Sequence, residues 1–225
     1  MRYAGALIIA SLFLLGGSLA GAATNDAAKR NDQGAEMLKQ GKLEEALTQF
    51  QQAVVLDPSF LVAQQNLAYV YDQLGRADEA IIAYKRAIEL DPRSAIVFNN
   101  LGVLYTKKGQ NEEAIQVLEQ GLKVDPTNAT LQKNLENAKK NRGIVQERET
   151  KIADAKKQAD ARPKDPQAAF AVARICAFYG QNDQALEWLG KSLELGYYDP
   201  ERAKADATFT DLKKDPRFQR LFEKR

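Results

Sequence analysis

Small and apolar residues recur along this chain with one fixed period. Ala46, Ala80 and Ala114 stand 34 residues apart, as do Gly41, Gly75 and Gly109, and Pro58, Pro92 and Pro126. With each proline at position 32 of a frame, successive frames begin at Ala27, Leu61 and Ala95. Position 8 is Gly34, Ala68 and Gly102, position 24 is Phe50, Tyr84 and Leu118, and position 27 is Ala53, Ala87 and Gly121. Small residues at 8, 20 and 27 let two helices approach closely while the large ones fill the space beside them. The glycine at 15 suits the end of a first helix, where the backbone takes a positive φ. Asp-Pro at 31 and 32 (Asp57-Pro58, Asp91-Pro92) ends a second helix and turns the chain. The period therefore predicts stacked helical hairpins, a repeat architecture in which each unit depends on its neighbours for burial.

Across Ala27 to Asn128, seven positions recur in three consecutive frames, and this pattern resembles the tetratricopeptide repeat (TPR) family. The resemblance implies an all-α, right-handed superhelical solenoid of antiparallel helix pairs. Two departures stand out: position 4 is Arg30, Gln64 and then Phe98, and position 7 of the first frame is Gln33 where leucine is expected.

The glycine register runs on to Gly143 and Gly180, with a last interval of 37 residues. On that register 129–165 is expected to be a degenerate, charged fourth unit. Its first helix would carry Leu131, Leu135 and Ala138, and its second would cover Gln146 to Ala161. A fifth unit over 166–199 places Ala173, Gly180, Ala185 and Leu189 at the repeat positions. In the last segment, 200–225, Asp215-Pro216 starts a C-terminal capping helix with Phe218, Leu221 and Phe222 on one face.

The N-terminus follows a different pattern. Arg2 precedes an uncharged run from Ala4 to Leu15, then Gly16-Gly17 and the small residues Ser18 to Ala23. This is the layout of a secretory signal peptide over 1–22, with small-x-small cleavage sites after Ala20 and Ala22. The chain is accordingly expected to be exported, periplasmic or secreted. The alternative is an uncleaved anchor, because Tyr3 to Ala23 gives 21 uncharged residues, about enough to span a bilayer.

Composition narrows the function. The 225 residues carry 32 Lys and Arg against 30 Asp and Glu, so no net field steers the chain to nucleic acid. Histidine is absent, which removes the commonest general base and metal ligand. No Gly-rich phosphate loop or metal-ligand spacing occurs, and no catalytic residue, metal or cofactor is expected. The acidic pairs Glu44-Glu45, Asp78-Glu79 and Glu112-Glu113 fall at the start of second helices, where they complement the helix dipole rather than form an acid–base pair. Cys176, the single cysteine, cannot form an internal disulfide and reads as a small buried hydrophobe. Lys139 to Asp165 holds nine basic and five acidic residues, a mixture that suits a solvated helix.

The resemblance implies that first helices line a concave groove through positions 2, 5, 6, 9, 12 and 13. Position 6 is Asp32, Asn66, Asn100 and Asn134; position 5 is Asn31, Gln65 and Asn99. Tyr69 lies at position 9 and Lys107 at 13. A row of amides can both donate to and accept from a peptide backbone. It resembles the asparagine ladder of TPR domains that hold peptides by the main chain, though asparagine is also frequent at this position in the family. Another family device, a carboxylate clamp for chaperone C-termini, finds only Asn66 in place; Asn31, Ala35, Ile96 and Asn100 depart from it. The expected function is a non-enzymatic scaffold of the cell envelope that binds other proteins or peptides in this groove. The alternative is a membrane-tethered structural subunit using its convex face, its tail or the basic helix.

Overall fold

Four glycines make the turns that fold the chain into helix pairs. The computed structural model describes residues 24–197 and 199–223. Gly41, Gly75, Gly109 and Gly180 have φ of 75°, 74°, 75° and 70°, a left-handed conformation that only glycine takes without strain. At each, the next residue's N–H reaches back five residues: Lys42 to Met37 O at 3.0 Å, Arg76 to Tyr71 O at 2.9 Å, Gln110 to Tyr105 O at 2.9 Å and Gln181 to Cys176 O at 2.8 Å. The turn thereby satisfies carbonyls that the helix end leaves open.

The chain divides into two compact units, one running to Asn141 and one from Arg142 onward. The first contains α1 (24–39), α2 (Leu43–Leu56), α3 (Leu61–Gln73), α4 (Ala77–Leu90), α5 (Ala95–Lys107) and α6 (Asn111–Val124). These form three antiparallel pairs, α1–α2, α3–α4 and α5–α6. Between pairs, Asp57, Asp91 and Asp125 each accept through Oδ1 from the backbone N–H two residues on, at 2.9, 3.0 and 3.3 Å. The Asp-Pro dipeptides thus close their own turns. Glu44 and Glu45, Asp78 and Glu79, and Glu112 and Glu113 sit in the first turns of α2, α4 and α6.

The small and large positions meet inside each pair. Phe50, Tyr84 and Leu118 are fully or almost fully buried. A Cβ on Gly34 would lie 2.7 Å from Phe50 Cε1, so glycine is what admits the ring. Gly102 stands in the same relation to the Leu118 side chain.

α7 (Ala129–Asp160) is one helix of 32 residues, its first part in the first unit and its second part in the other. The expected pair of helices within 129–165 is therefore corrected to a single one. Gly143, the glycine read as its turn, lies inside the helix and outside the positive-φ set. Position 8 of this frame is Glu136 and position 20 is Arg148, both charged and exposed or partly exposed where the other frames have small buried residues. Two helices cannot close against each other across such side chains, and the Lys-, Glu- and Ala-rich stretch simply continues its helix.

The second unit contains the rest of α7, α8 (Pro166–Phe178), α9 (Asn182–Glu194), α10 (Pro200–Ala205) and α11 (Pro216–Glu223), with short 3-10 turns at Ala207–Phe209 and Leu212–Lys214. Asp165 and Asp215 cap α8 and α11, accepting from Gln167 N at 2.9 Å and Arg217 N at 2.8 Å. An aromatic chain ties the C-terminal segment to α8. Phe170 is 4.4 Å from Tyr197 and 5.8 Å from Phe209 between ring centroids, and Phe209 is 6.0 Å from Phe218. Cys176 is fully buried in this core, as its apolar neighbours in the sequence suggest. The signal-peptide segment, 1–22, lies outside the described residues.

Candidate functional site

The first helices α1, α3 and α5, with the start of α7, carry every groove residue expected from the sequence. Their 34-residue register brings position 6 of one helix beside position 5 of the helix before it. Asn66 donates through Nδ2 to Asn31 Oδ1 at 2.9 Å, and Asn134 donates to Asn99 Oδ1 at 2.7 Å. Asn99 in turn donates to Asn100 Oδ1 at 3.5 Å. The amides are thus bonded to one another between successive helices, a use that periodicity alone does not reveal.

The middle of the ribbon is built differently. Gln65 donates to Ser94 Oγ at 3.4 Å rather than to the next position-6 residue. Asn100 hydrogen-bonds the Tyr84 hydroxyl instead. Burial, with the Asp72 charge nearby, pushes the Tyr84 phenol far up from its ordinary value, and the Asn100 bond pulls weakly the other way. Tyr84 stays a neutral core residue that fixes the direction of Asn100.

Exposure sorts the expected residues. Asn31 is only 6% exposed, so it orients Asn66 from behind the surface rather than lining the groove wall. Gln65, Asn66, Asn99, Asn100 and Asn134 are half-buried. An amide that makes one such bond keeps a second N–H and acceptor capacity for a ligand. Lys107 pairs with Asp72 across α5 and α3 at 3.0 Å. Tyr69 is 42% exposed beside this pair of helices.

The same surface has apolar members that the asparagine period does not point to. Val62 and Ile96, both at position 2, are 47% and 71% exposed. The family resemblance assigns position 2 to the groove face, and an aliphatic residue there in two successive frames is the signal for them in the sequence. Together with Tyr69 they place apolar side chains alongside the amide ribbon. The arrangement can grip a peptide's main chain by hydrogen bonds and accommodate apolar side chains next to it; no general base or nucleophile is part of it.

Among curated proteins, nothing matches the chain. Solved structures do. The first TPR of Spaghetti (RPAP3), bound to the HSP90 peptide SRMEEVD, is 23% identical, with a TM-score of 0.50 over 52% of this chain and 93% of that one. The second TPR domain of human RPAP3, in complex with the HSP70 peptide SGPTIEEVD, is 26% identical with a TM-score of 0.50, over 52% of this chain and 98% of that one. The first TPR domain of human RPAP3 is 22% identical with a TM-score of 0.52, over 55% and 98% respectively. Family models described as TPR repeat match residues 34–75 and 68–109, and one described as tetratricopeptide repeat matches 95–128. Fold, register and family models agree over residues 34–128, which match tetratricopeptide repeats.

Proposed function

We propose that this protein is a non-catalytic scaffold, exported to the cell envelope, whose repeats hold an extended segment of a partner protein along the first-helix surface of α1, α3, α5 and the start of α7. The carrying observation is the bonded amide ribbon, Asn31–Asn66 and Asn99–Asn134, set beside exposed Val62, Tyr69 and Ile96. Its amides are held in place before any ligand arrives, so little conformational entropy is lost on binding. The peptide held by the second RPAP3 domain supports a peptide as the class of ligand.

The surface favours an internal segment over an acidic C-terminus. Ala35 and Ile96 stand where the clamp resemblance calls for polar groups, and Lys107 is already committed to Asp72. A partner is then read through its backbone by Asn66, Asn100 and Asn134, and through apolar side chains against Ile96 and Tyr69. The leader over 1–22 supports export, with the mature chain beginning after Ala20 or Ala22.

Pull-down from envelope extract with the wild-type chain and with Asn66→Ala/Asn100→Ala tests the reading. Two lost hydrogen bonds of about 1 kcal/mol each should lower partner affinity about tenfold or more. Equal recovery by both proteins would contradict the groove. Mass spectrometry of the N-terminus gives the second check: a chain starting near Gly21 or Ala23 supports export, and one still bearing the apolar segment indicates an anchored protein.

A further inference from the structure

The long helix α7 is held at its two ends and not in its middle. Leu131 and Ala138 are buried in the core of the first unit, and Ile152, Ala155 and Ala159 in that of the second. From 139 to 151 no residue is buried: Arg142, Val145 and Arg148 are half-buried and the others are exposed. That is roughly three and a half turns of helix without a buried residue. The side chains that reach past the helix lie toward the edges of this stretch. Lys139 pairs with Glu119 of α6 at 3.0 Å, while Arg148, Glu149 and Lys151 border hollows of the second unit.

The residues inside the stretch are poor at holding a helix by themselves. In Asn141-Arg142-Gly143-Ile144-Val145 only arginine is a strong helix former; asparagine, glycine and the two β-branched residues each weaken the helix. Lys139 and Arg142, three residues apart on one face, carry like charge and repel. Neither Lys140 nor Arg142 has an ion pair among the described residues. Arg142 Nε is sheltered from solvent with no hydrogen-bond partner, a cost that is relieved when water reaches it. Ile144 is already 55% exposed, so unwinding here uncovers little apolar surface.

We propose that α7 opens and re-forms locally between 140 and 149 while both of its ends stay in their cores. A helix of this length without a packed face is marginal in water, because most helix stability comes from burying an apolar side. The anchors at Ala138 and Ile152 confine the opening to the middle, and the chain thereby carries a built-in point of local unfolding. While open, the segment presents Lys140, Arg142 and Arg148 as extended backbone. No residue of the amide surface takes part, so the proposal stands independently of the reading of that surface.

Hydrogen exchange of the native full chain, read by mass spectrometry, tests it. Amides of 141–149 should exchange more than about tenfold faster than those of 131–138 and 156–160 in the same helix. A Cβ at Gly143 would meet nothing within 4 Å, so Gly143→Ala strengthens the helix without disturbing packing. It should slow exchange at 141–149 about twofold to fivefold. Limited trypsin digestion gives a second reading. Within α2 to α11 the first cut should follow Lys140, Arg142 or Arg148, and Gly143→Ala should delay it. A smaller difference in exchange along α7 would overturn the proposal, as would a first cut elsewhere in those helices. Exchange at 141–149 that Gly143→Ala leaves unchanged would overturn it as well.

Discussion

Asn134 on α7 donates to Asn99 on α5 at 2.7 Å, and Asn66 on α3 makes the same bond to Asn31 on α1 at 2.9 Å. Each bond joins successive first helices across a repeat boundary and fixes which way the amide faces. The pairs tie successive first helices together and leave each amide a second N–H and acceptor capacity, which is what the proposed function draws on.

Removing one member of a pair leaves the other half-buried without its partner. Asn99→Ala and Asn134→Ala should each cost about 1–2 kcal/mol. The double substitution should cost clearly less than the sum, because both remove the same bond. Thermal or urea unfolding of the three variants checks this; strict additivity would show that the bond contributes nothing.

Two glycines on one sequence register should respond with opposite sign. Gly109 has a φ of 75°, and alanine there should destabilise by about 1–2 kcal/mol. Gly143 lies within α7, and a Cβ added there would meet nothing within 4 Å. Gly143→Ala should therefore stabilise by roughly 0.5–1 kcal/mol. Unfolding curves for the two variants give the comparison directly.

The contact between Phe50 and Gly34 holds the first helix pair together. Phe50→Ala should cost about 3–5 kcal/mol, since the ring is fully buried. Gly34→Ala, which adds one methyl against that ring, should cost about 1–3 kcal/mol by overpacking. An unchanged calorimetric melt for Phe50→Ala would refute the packing.

Burial raises the Cys176 thiol above its ordinary value, so the folded state holds its proton more tightly than the unfolded state does. The associated stability is complete below the ordinary thiol value and is lost as pH rises from there through the raised one. A thiol-specific reagent should therefore leave Cys176 unmodified in native protein and label it when the second unit unfolds, earlier in denaturant at alkaline pH than at neutral pH. Rapid labelling of native protein would contradict the burial.

The repeat units were legible because their determinants are local and periodic. Glycine at the turn, Asp-Pro at the next turn and the pairing of Gly34 with Phe50 can each be read from residue type and spacing. Gly143 misled because its spacing matched while its surroundings did not: Glu136 and Arg148 occupy positions that need small residues, and that conflict outweighs a lone glycine. In the binding surface, the asparagine period was visible but its bonding was not. Whether an amide stays half-exposed, as Asn66 does, or is buried, as Asn31 is, depends on a neighbouring helix a full repeat away.

A partner lying along the first helices of the repeats is what the proposed function most depends on. Site-specific photocrosslinking in whole cells tests it most directly, with photoreactive residues at Tyr69 and Asn100 on α3 and α5 and, for contrast, at exposed Ile82 on α4. The expected result is a discrete crosslinked partner from Tyr69 and Asn100 and none from Ile82. Crosslinks from Ile82 with silence at Tyr69 and Asn100 would contradict it.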